Sequence, residues 1–275
     1  MAEWRPLEIA GHGGRDFVLR SPLMPAAGFL GYGRAYPGLL DAVLFGALVT
    51  QATTLNARGP RQWPGFARVR GGFILPLPAP NPGIGAMLRE FAPSWRRWRV
   101  PVIVALSVAD SEEAGVAAAR LDEEDSVSGI ELQVPPGAGP EWLAAILGAL
   151  KQRADLPLLV RLPLAEAPAL AEGAIDAGAA ALVLGIPHHG TQARSGLHGP
   201  LYGPAALPYT LRAVQEVGER SLPVIASGGV YSADDVRACL DAGAQAVQID
   251  GLIPLDPASA ANIARTYAPT RNPVA

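Results

Sequence analysis

Short apolar runs alternate with stretches of helical spacing along almost the whole chain. The runs are SPLMPAA (21–27), ALVTQAT (47–53), PVIVALS (101–107), GIELQVP (129–135), PLLVRLP (157–163), ALVLGIP (181–187), PVIASGG (223–229) and AVQIDG (246–251). Each is short, rich in Val, Ile and Leu and nearly continuous in apolar character, which is how a parallel strand buried on both faces reads. Between them, PYTLRAVQEVGE puts Leu211, Val214 and Val217 on one helical stripe. SADDVRACLDAG offers Ser232 to cap a helix start and Gly243 to end it. The phrase DAGAAALVLG at 176–185 returns as DAGAQAVQID at 241–250. In both, a helix stops at a glycine and drops within a few residues into a buried strand.

Eight such units within one domain length predict a (β/α)8 TIM barrel, with residues 1–275 as a single domain. A doubly wound sheet would want a GxGxxG turn after its first strand, which LMPAAGFLGYG does not supply. Ahead of the first run, LEIAGHGGRDFVL predicts an N-terminal hairpin. The Pro- and Gly-rich region 56–83 predicts an excursion over the barrel mouth.

Composition narrows the function classes. With 49% hydrophobic and 17% charged residues the chain can bury a sizeable core and is not of the disordered class. A net charge of −3 gives no footprint for nucleic acid or an anionic membrane. The one basic cluster, SWRRWRV at 94–100, reads as a solvated helix end before a strand. A lone Cys239 excludes an internal disulfide, MAEWRPLEIAG lacks the pattern of a signal peptide, and no apolar run reaches the ~18–20 residues of a membrane span. The expectation is a soluble cytoplasmic protein with a small-molecule substrate. Its basic residues are almost all arginine, Lys151 being the only lysine.

In such barrels the chemistry sits at the C-terminal strand ends, and phosphate is commonly held by the loops after strands seven and eight. Those ends carry Ala26 to Gly28, Gln51 to Thr54, Ser107, Gln133 to Ala138, Arg161, Gly185 to His189, Ser227 to Gly229, and Asp250 with Gly251. Gly228 and Gly229 can turn backbone N–H groups toward an anion. Arg161, inside PLLVRLP, faces either a ligand or a structural ion partner, because unpaired burial of a charge is costly; the ligand-facing role is the one expected. His188 in GIPHHG is the candidate base near the mouth. Glu172 and Asp176, on the helix before the sixth strand, read as surface. HExxH, CxxC and nucleophile-elbow patterns do not occur.

Several segments together resemble the dihydroorotate dehydrogenase family, FMN-dependent barrels, and most of all its soluble class 1 branch. They are SPLMPAAGFLGYG, GALVTQATTLNARGP, LPAPNPGIGAMLREF, SGLHGPLYGPAALPYTLRAV and PVIASGGVYSADDVRACLDAGAQAVQI, in the family's order and spacing. The resemblance implies an FMN oxidoreductase acting on a CH–CH group in pyrimidine metabolism, a homodimer, and flavin contacts from Ala27, Gly28, Gln51, Arg161, Ser195, Gly196, Gly228, Gly229 and Gly251. It implies a substrate contact from Gln133. The chain departs from the family where chemistry is concentrated. The family's second-strand lysine is Gln51 here, and its lysine near the flavin is Arg161, which keeps the positive charge. Its substrate asparagines align with Leu75, Gln133, Ala138 and Gly185. The catalytic base, a Cys or Ser in the family, falls at Pro135 or Pro136, neither of which titrates. Where the family has Gly-Thr at the phosphate, this chain has Asp250-Gly251. Gln51 and Asp250 thus count against FMN. The expected function is a dihydroorotate dehydrogenase-like flavin oxidoreductase with an altered substrate; the alternative is a non-catalytic homologue serving as a binding or partner subunit.

Overall fold

The computed structural model describes residues 4–59, 65–76, 80–218 and 222–268. All eight apolar runs form strands: β3 (Leu23–Pro25), β4 (Leu48–Val49), β7 (Val102–Leu106), β8 (Gly129–Gln133), β9 (Leu158–Pro163), β10 (Ala181–Ile186), β13 (Val224–Ser227) and β14 (Ala246–Ile249). Each pairs in parallel with its neighbour, in the order β3, β14, β13, β10, β9, β8, β7, β4. The two outer members meet through Gly46 N donating to Leu23 O at 2.8 Å and Gly28 N donating to Thr50 O at 3.2 Å. The sheet is therefore closed, a (β/α)8 barrel. Helices α1 (Ile84–Trp95), α2 (Ser111–Asp122), α3 (Pro140–Lys151), α4 (Ala167–Asp176), α5 (Leu207–Val217), α6 (Ala233–Asp241), α7 (Leu252–Leu255) and α8 (Pro257–Thr266) complete it.

Side chains alternate across each strand, so residues two apart share a face. Val102, Val104 and Leu106 pack outward with Leu158, Val160 and Leu162 against the helices. Ile103, Ala105, Leu159, Ala181, Val183, Ile225 and Ala246 form a second apolar cluster, the lower barrel interior. The N-terminal hairpin, β1 (Leu7–Ile9) paired antiparallel with β2 (Phe17–Leu19), contributes Ile9, Phe17 and Leu19 to that cluster. It plugs the barrel from below.

Helix ends follow the expected chemistry. Ser232 Oγ accepts from Asp235 N at 3.1 Å at the start of α6, and Gly243 turns the chain after it with φ of 111°. Leu211, Val214 and Val217 lie on α5, with Val214 and Val217 fully buried. In the basic cluster, Trp95 is buried, Arg97 is exposed and Arg96 pairs with Glu124, Nη2 to Oε2 2.6 Å.

The excursion is more ordered than a loop. It carries a hairpin, β5 (Ala67–Val69) with β6 (Gly72–Ile74), while residues 60–64 and 77–79 of it lie outside the described residues. A second hairpin, β11 (His189–Thr191) with β12 (His198–Tyr202), follows β10, and β12 pairs with β6 to make a four-stranded antiparallel sheet. No helix among the described residues is long and apolar enough to cross a membrane.

Candidate active site

The alternation that fills the lower barrel with apolar side chains places polar ones above it. Glu131, Arg161 and Gln248 point inward from β8, β9 and β14, and all three are buried. Arg161 Nη1 donates to Gln248 Oε1, and its Nη2 donates to the Gly185 carbonyl at 2.7 Å. Gln248 Nε2 donates to Glu131 Oε2 at 2.6 Å, and Glu131 Oε1 lies 3.8 Å from Arg161 Nη1. A closed ring of side chains results. Gln133, one inward step above Glu131 on β8, is partly exposed and donates to Glu131 Oε1 at 2.7 Å. The guanidinium is thus held by the barrel's own groups, the structural partner that the residue pattern had left as the second alternative.

At the ends of β13 and β14 a second polar cluster forms. Gly228 and Gly229 both adopt left-handed φ values, 118° and 78°. Thr210 Oγ1 on α5 donates to the Gly228 carbonyl at 3.0 Å, which fixes that peptide. Asp250 is fully buried beside them, with Oδ1 accepting from Gly251 N at 2.5 Å. Burial pushes its carboxyl up to about 6, against the opposing pull of the Gly251 N–H, Arg161 and the Asp250 and Gly229 N–H groups. Asp250 Oδ2, Tyr231 Oη and Ser227 Oγ are the buried side-chain oxygens without a hydrogen-bond partner among the described residues. Gly251 is forced by crowding: a Cβ there would lie 2.4 Å from Tyr231 Oη and 3.1 Å from Tyr202 Cβ. Burial and the nearby Asp250 charge push the Tyr231 and Tyr202 phenols well above their ordinary range, although Arg161 opposes this at Tyr202.

The remaining candidates spread over the same end of the barrel. Gly28 is exposed and Ala27 partly so, while Gln51 Nε2 donates to the Pro80 carbonyl at 2.6 Å, tying the end of strand two to the excursion. Pro135 and Pro136 are exposed at the loop after β8, where Gly137 N donates to Glu166. Ser195 and Gly196 form the exposed tip of the β11–β12 hairpin, and Ser195 N donates to Gln192 Oε1 at 2.6 Å. His188 is exposed, its ring 4.9 Å from that of Tyr209. It lines a cavity of about 330 Å³ whose walls do not include Arg161, Gln133 or Asp250. Next to it, His189 Nδ1 meets His198 Nε2 at 3.3 Å; burial and the neighbouring His198 hold the His189 imidazole below its ordinary value.

The structure therefore gathers Arg161, Gln133, Gly228, Gly229 and Gly251 at the inner ends of neighbouring strands. Ser195 and Gly196 belong to the outer hairpin, and His188 immediately precedes it. Sequence reasoning missed Glu131, Gln248, Tyr202 and Tyr231. A signal for Glu131 was present, since a second charge in a fully buried neighbouring strand is the natural partner for Arg161.

The profile described as dihydroorotate dehydrogenase matches residues 14–267. The chain belongs to the dihydroorotate dehydrogenase family. It is 32% identical to the "Dihydroorotate dehydrogenase B (NAD(+)), catalytic subunit" of Geotalea daltonii, over 94% of this chain and 90% of that protein. The protein of the same description from Anoxybacillus flavithermus is also 32% identical, over 89% of this chain and 85% of its own length. Among solved structures, dihydroorotate dehydrogenase of Eimeria tenella in complex with ferulenol superposes with a TM-score of 0.74 at 16% identity, over 91% of this chain and 81% of that one. That likeness carries the fold. In this chain residues 135 and 136 are both proline and residue 250 is a buried aspartate.

Proposed function

We propose that this barrel is a dihydroorotate dehydrogenase-type flavin oxidoreductase whose substrate is a small molecule other than dihydroorotate. The observation that carries this reading is the loop after β8. It presents Pro135, Pro136 and Gly137 to solvent and no group that can accept a proton, directly above the partly exposed Gln133 amide. A dehydrogenation of a CH–CH unit needs a proton acceptor as well as a hydride acceptor. Here the acceptor must come from another element; His188, the base nominated from the sequence, lines a separate cavity whose walls do not include Gln133 or Arg161.

The residues present match FMN at one end only. At the ring end the groups are suitable: Arg161 holds a fixed positive charge under the mouth, and Gln133 offers an amide. At the other end they are not. The anion position of such barrels, the loops after the seventh and eighth strands, holds the buried Asp250 carboxylate. Placing a phosphate charge ~4 Å from a carboxylate costs about 4 kcal/mol per charge pair at an effective dielectric of ~20. FMN with its phosphate in that position does not fit, and no catalytic step is routed through it. A flavin would supply the redox chemistry; the chain supplies a fixed cation at Arg161 and an orienting amide at Gln133.

The test is anaerobic. Protein loaded with flavin should stay oxidised when dihydroorotate is added and bleach with dithionite; rapid bleaching by dihydroorotate would overturn the altered-substrate reading. A second reading, a non-catalytic partner subunit, is favoured by one observation: the Arg161 guanidinium is already engaged by Gln248, Gly185 and Glu131. It predicts a colourless protein that takes up no flavin in any form.

A further inference from the structure

We infer that Asp250 is a built-in substitute for a ligand phosphate, so that the flavin this barrel takes ends in a free hydroxyl and not in a phosphate ester. The inference rests on the flavin reading above and concerns the opposite end of the same ligand. It begins with the two left-handed glycines. Consecutive residues of that kind turn backbone N–H groups into a concavity that binds anions. In Gly228 and Gly229 the concavity is fixed from behind, by Thr210 holding the Gly228 carbonyl at 3.0 Å. The Asp250 carboxylate lies beside this turn: the Gly251 N–H donates to Oδ1 at 2.5 Å, and Oδ2 is next to Gly228. The anion beside the nest is therefore the chain's own.

The carboxylate is only half satisfied. Oδ2 is buried and has no partner, and a Cβ built on Gly228 would lie 3.7 Å from it. Two further buried oxygens at the same strand ends, Tyr231 Oη and Ser227 Oγ, also lack partners. Buried polar atoms are nearly always paired, and each exception calls for an explanation. A carboxylate oxygen only accepts, whereas the two hydroxyls can donate or accept. The complement is a neutral group that donates to Oδ2 and exchanges hydrogen bonds with hydroxyls. A phosphate dianion offers acceptors alone and adds like charge; a terminal hydroxyl can donate to Oδ2 without adding charge. Among flavins, that describes riboflavin.

The experiment is a pair of fluorescence-quenching titrations, riboflavin against FMN, on the full-length protein at pH 8, where Asp250 is ionised. Wild type should bind riboflavin at least tenfold tighter than FMN. Asp250→Gly, which opens the nest, should reverse the preference, and Asp250→Asn, which keeps the volume but removes the charge, should abolish most of the discrimination without reversing it. The Asn variant keeps the proposal testable if the Gly variant fails to fold. Wild-type preference for FMN, or an unchanged preference in Asp250→Asn, overturns the inference and leaves the flavin reading standing. Wild type that quenches neither flavin overturns both.

Discussion

Glu131 and Arg161 face each other from adjacent parallel strands inside the barrel, Oε1 to Nη1 3.8 Å, with side-chain exposures of 0% and 5%. Charges so buried are costly to desolvate, and what holds them is the set of hydrogen bonds around the pair. Gln248 bridges the two, Gly185 takes the second Arg161 amine and Gln133 takes a Glu131 oxygen. Breaking such a pair from one side leaves an uncompensated charge, which typically costs about 3–5 kcal/mol. Glu131→Gln keeps the shape and removes only the charge, so it isolates this effect from cavity formation. We expect the variant to lose about 3 kcal/mol in urea unfolding, and the double variant Glu131→Leu, Arg161→Met to lose less than the single one. A loss below about 1 kcal/mol for Glu131→Gln would mean that the guanidinium does not depend on its carboxylate.

This pair also marks how far the residue pattern could be read. The eight strands were legible because each is a compact apolar run, and a strand buried on both faces leaves that signature whatever its partners. The alternation within each run was equally available, and with it the inward position of Arg161. Glu131 carried a signal as its partner, but Gln248 did not, because that contact depends on strand order and stagger around the closed sheet and spans 87 residues of sequence. The β11–β12 hairpin went unseen for a different reason: His189–Thr191 and His198–Tyr202 carry few apolar residues, and β12 is placed by its pairing with β6 as well as by burial of Tyr202. At the site, the absence of a base from Pro135 and Pro136 was plain in the residues. That Asp250 is fully buried beside Gly228 needed the coordinates.

Asp250 should leave a signature in the pH dependence of stability. Its carboxyl is raised from 3.8 to about 6 in the folded state. Between those values the folded protein binds a proton that the unfolded chain has released, so stability falls as pH rises through this window and is constant above it. The loss attributable to Asp250 is on the order of 3 kcal/mol across the window. The Tyr202 and Tyr231 phenols, which its charge helps to push up, do not titrate there. In Asp250→Asn this component of the slope should vanish, so the variant gains on wild type as pH goes from 4 to 6. Unfolding free energies of both proteins at half-unit steps would show this; a constant difference between them would contradict it.

Cys239 provides a check on the packing of the outer layer. It lies on α6 within the apolar layer between barrel and helices, fully buried, and burial together with the nearby Asp235 charge pushes its thiol up to about 12. The thiolate is the reactive form, so at pH 8 the native protein offers almost none, and none within reach of solvent. A thiol-reactive disulfide such as DTNB should label the native protein at least a hundredfold more slowly than the urea-unfolded chain, where one equivalent should react promptly. Rapid native labelling would place α6 away from the barrel.

Two glycines with nearly the same backbone angle should respond very differently to one methyl group. Gly137 has φ of 82° and Gly229 has φ of 78°. A Cβ on Gly137 would meet nothing within 4 Å, whereas on Gly229 it would sit 2.2 Å from Leu207 N and 2.7 Å from Leu207 Cα. Alanine in the left-handed region costs roughly 1–2 kcal/mol from local sterics alone. Gly137→Ala should therefore lose about that much in denaturant unfolding. Gly229→Ala carries the same local cost and must also push the start of α5 off the end of β13, or distort the peptide that faces Asp250. Because the obstacle is backbone and not a side-chain tip, the structure cannot yield cheaply. We expect its loss to exceed that of Gly137→Ala by at least ~2 kcal/mol, in line with overpacking in a close-packed interior. Equal losses would show that α5 can slide, and that the nest beside Asp250 is softer than its packing implies.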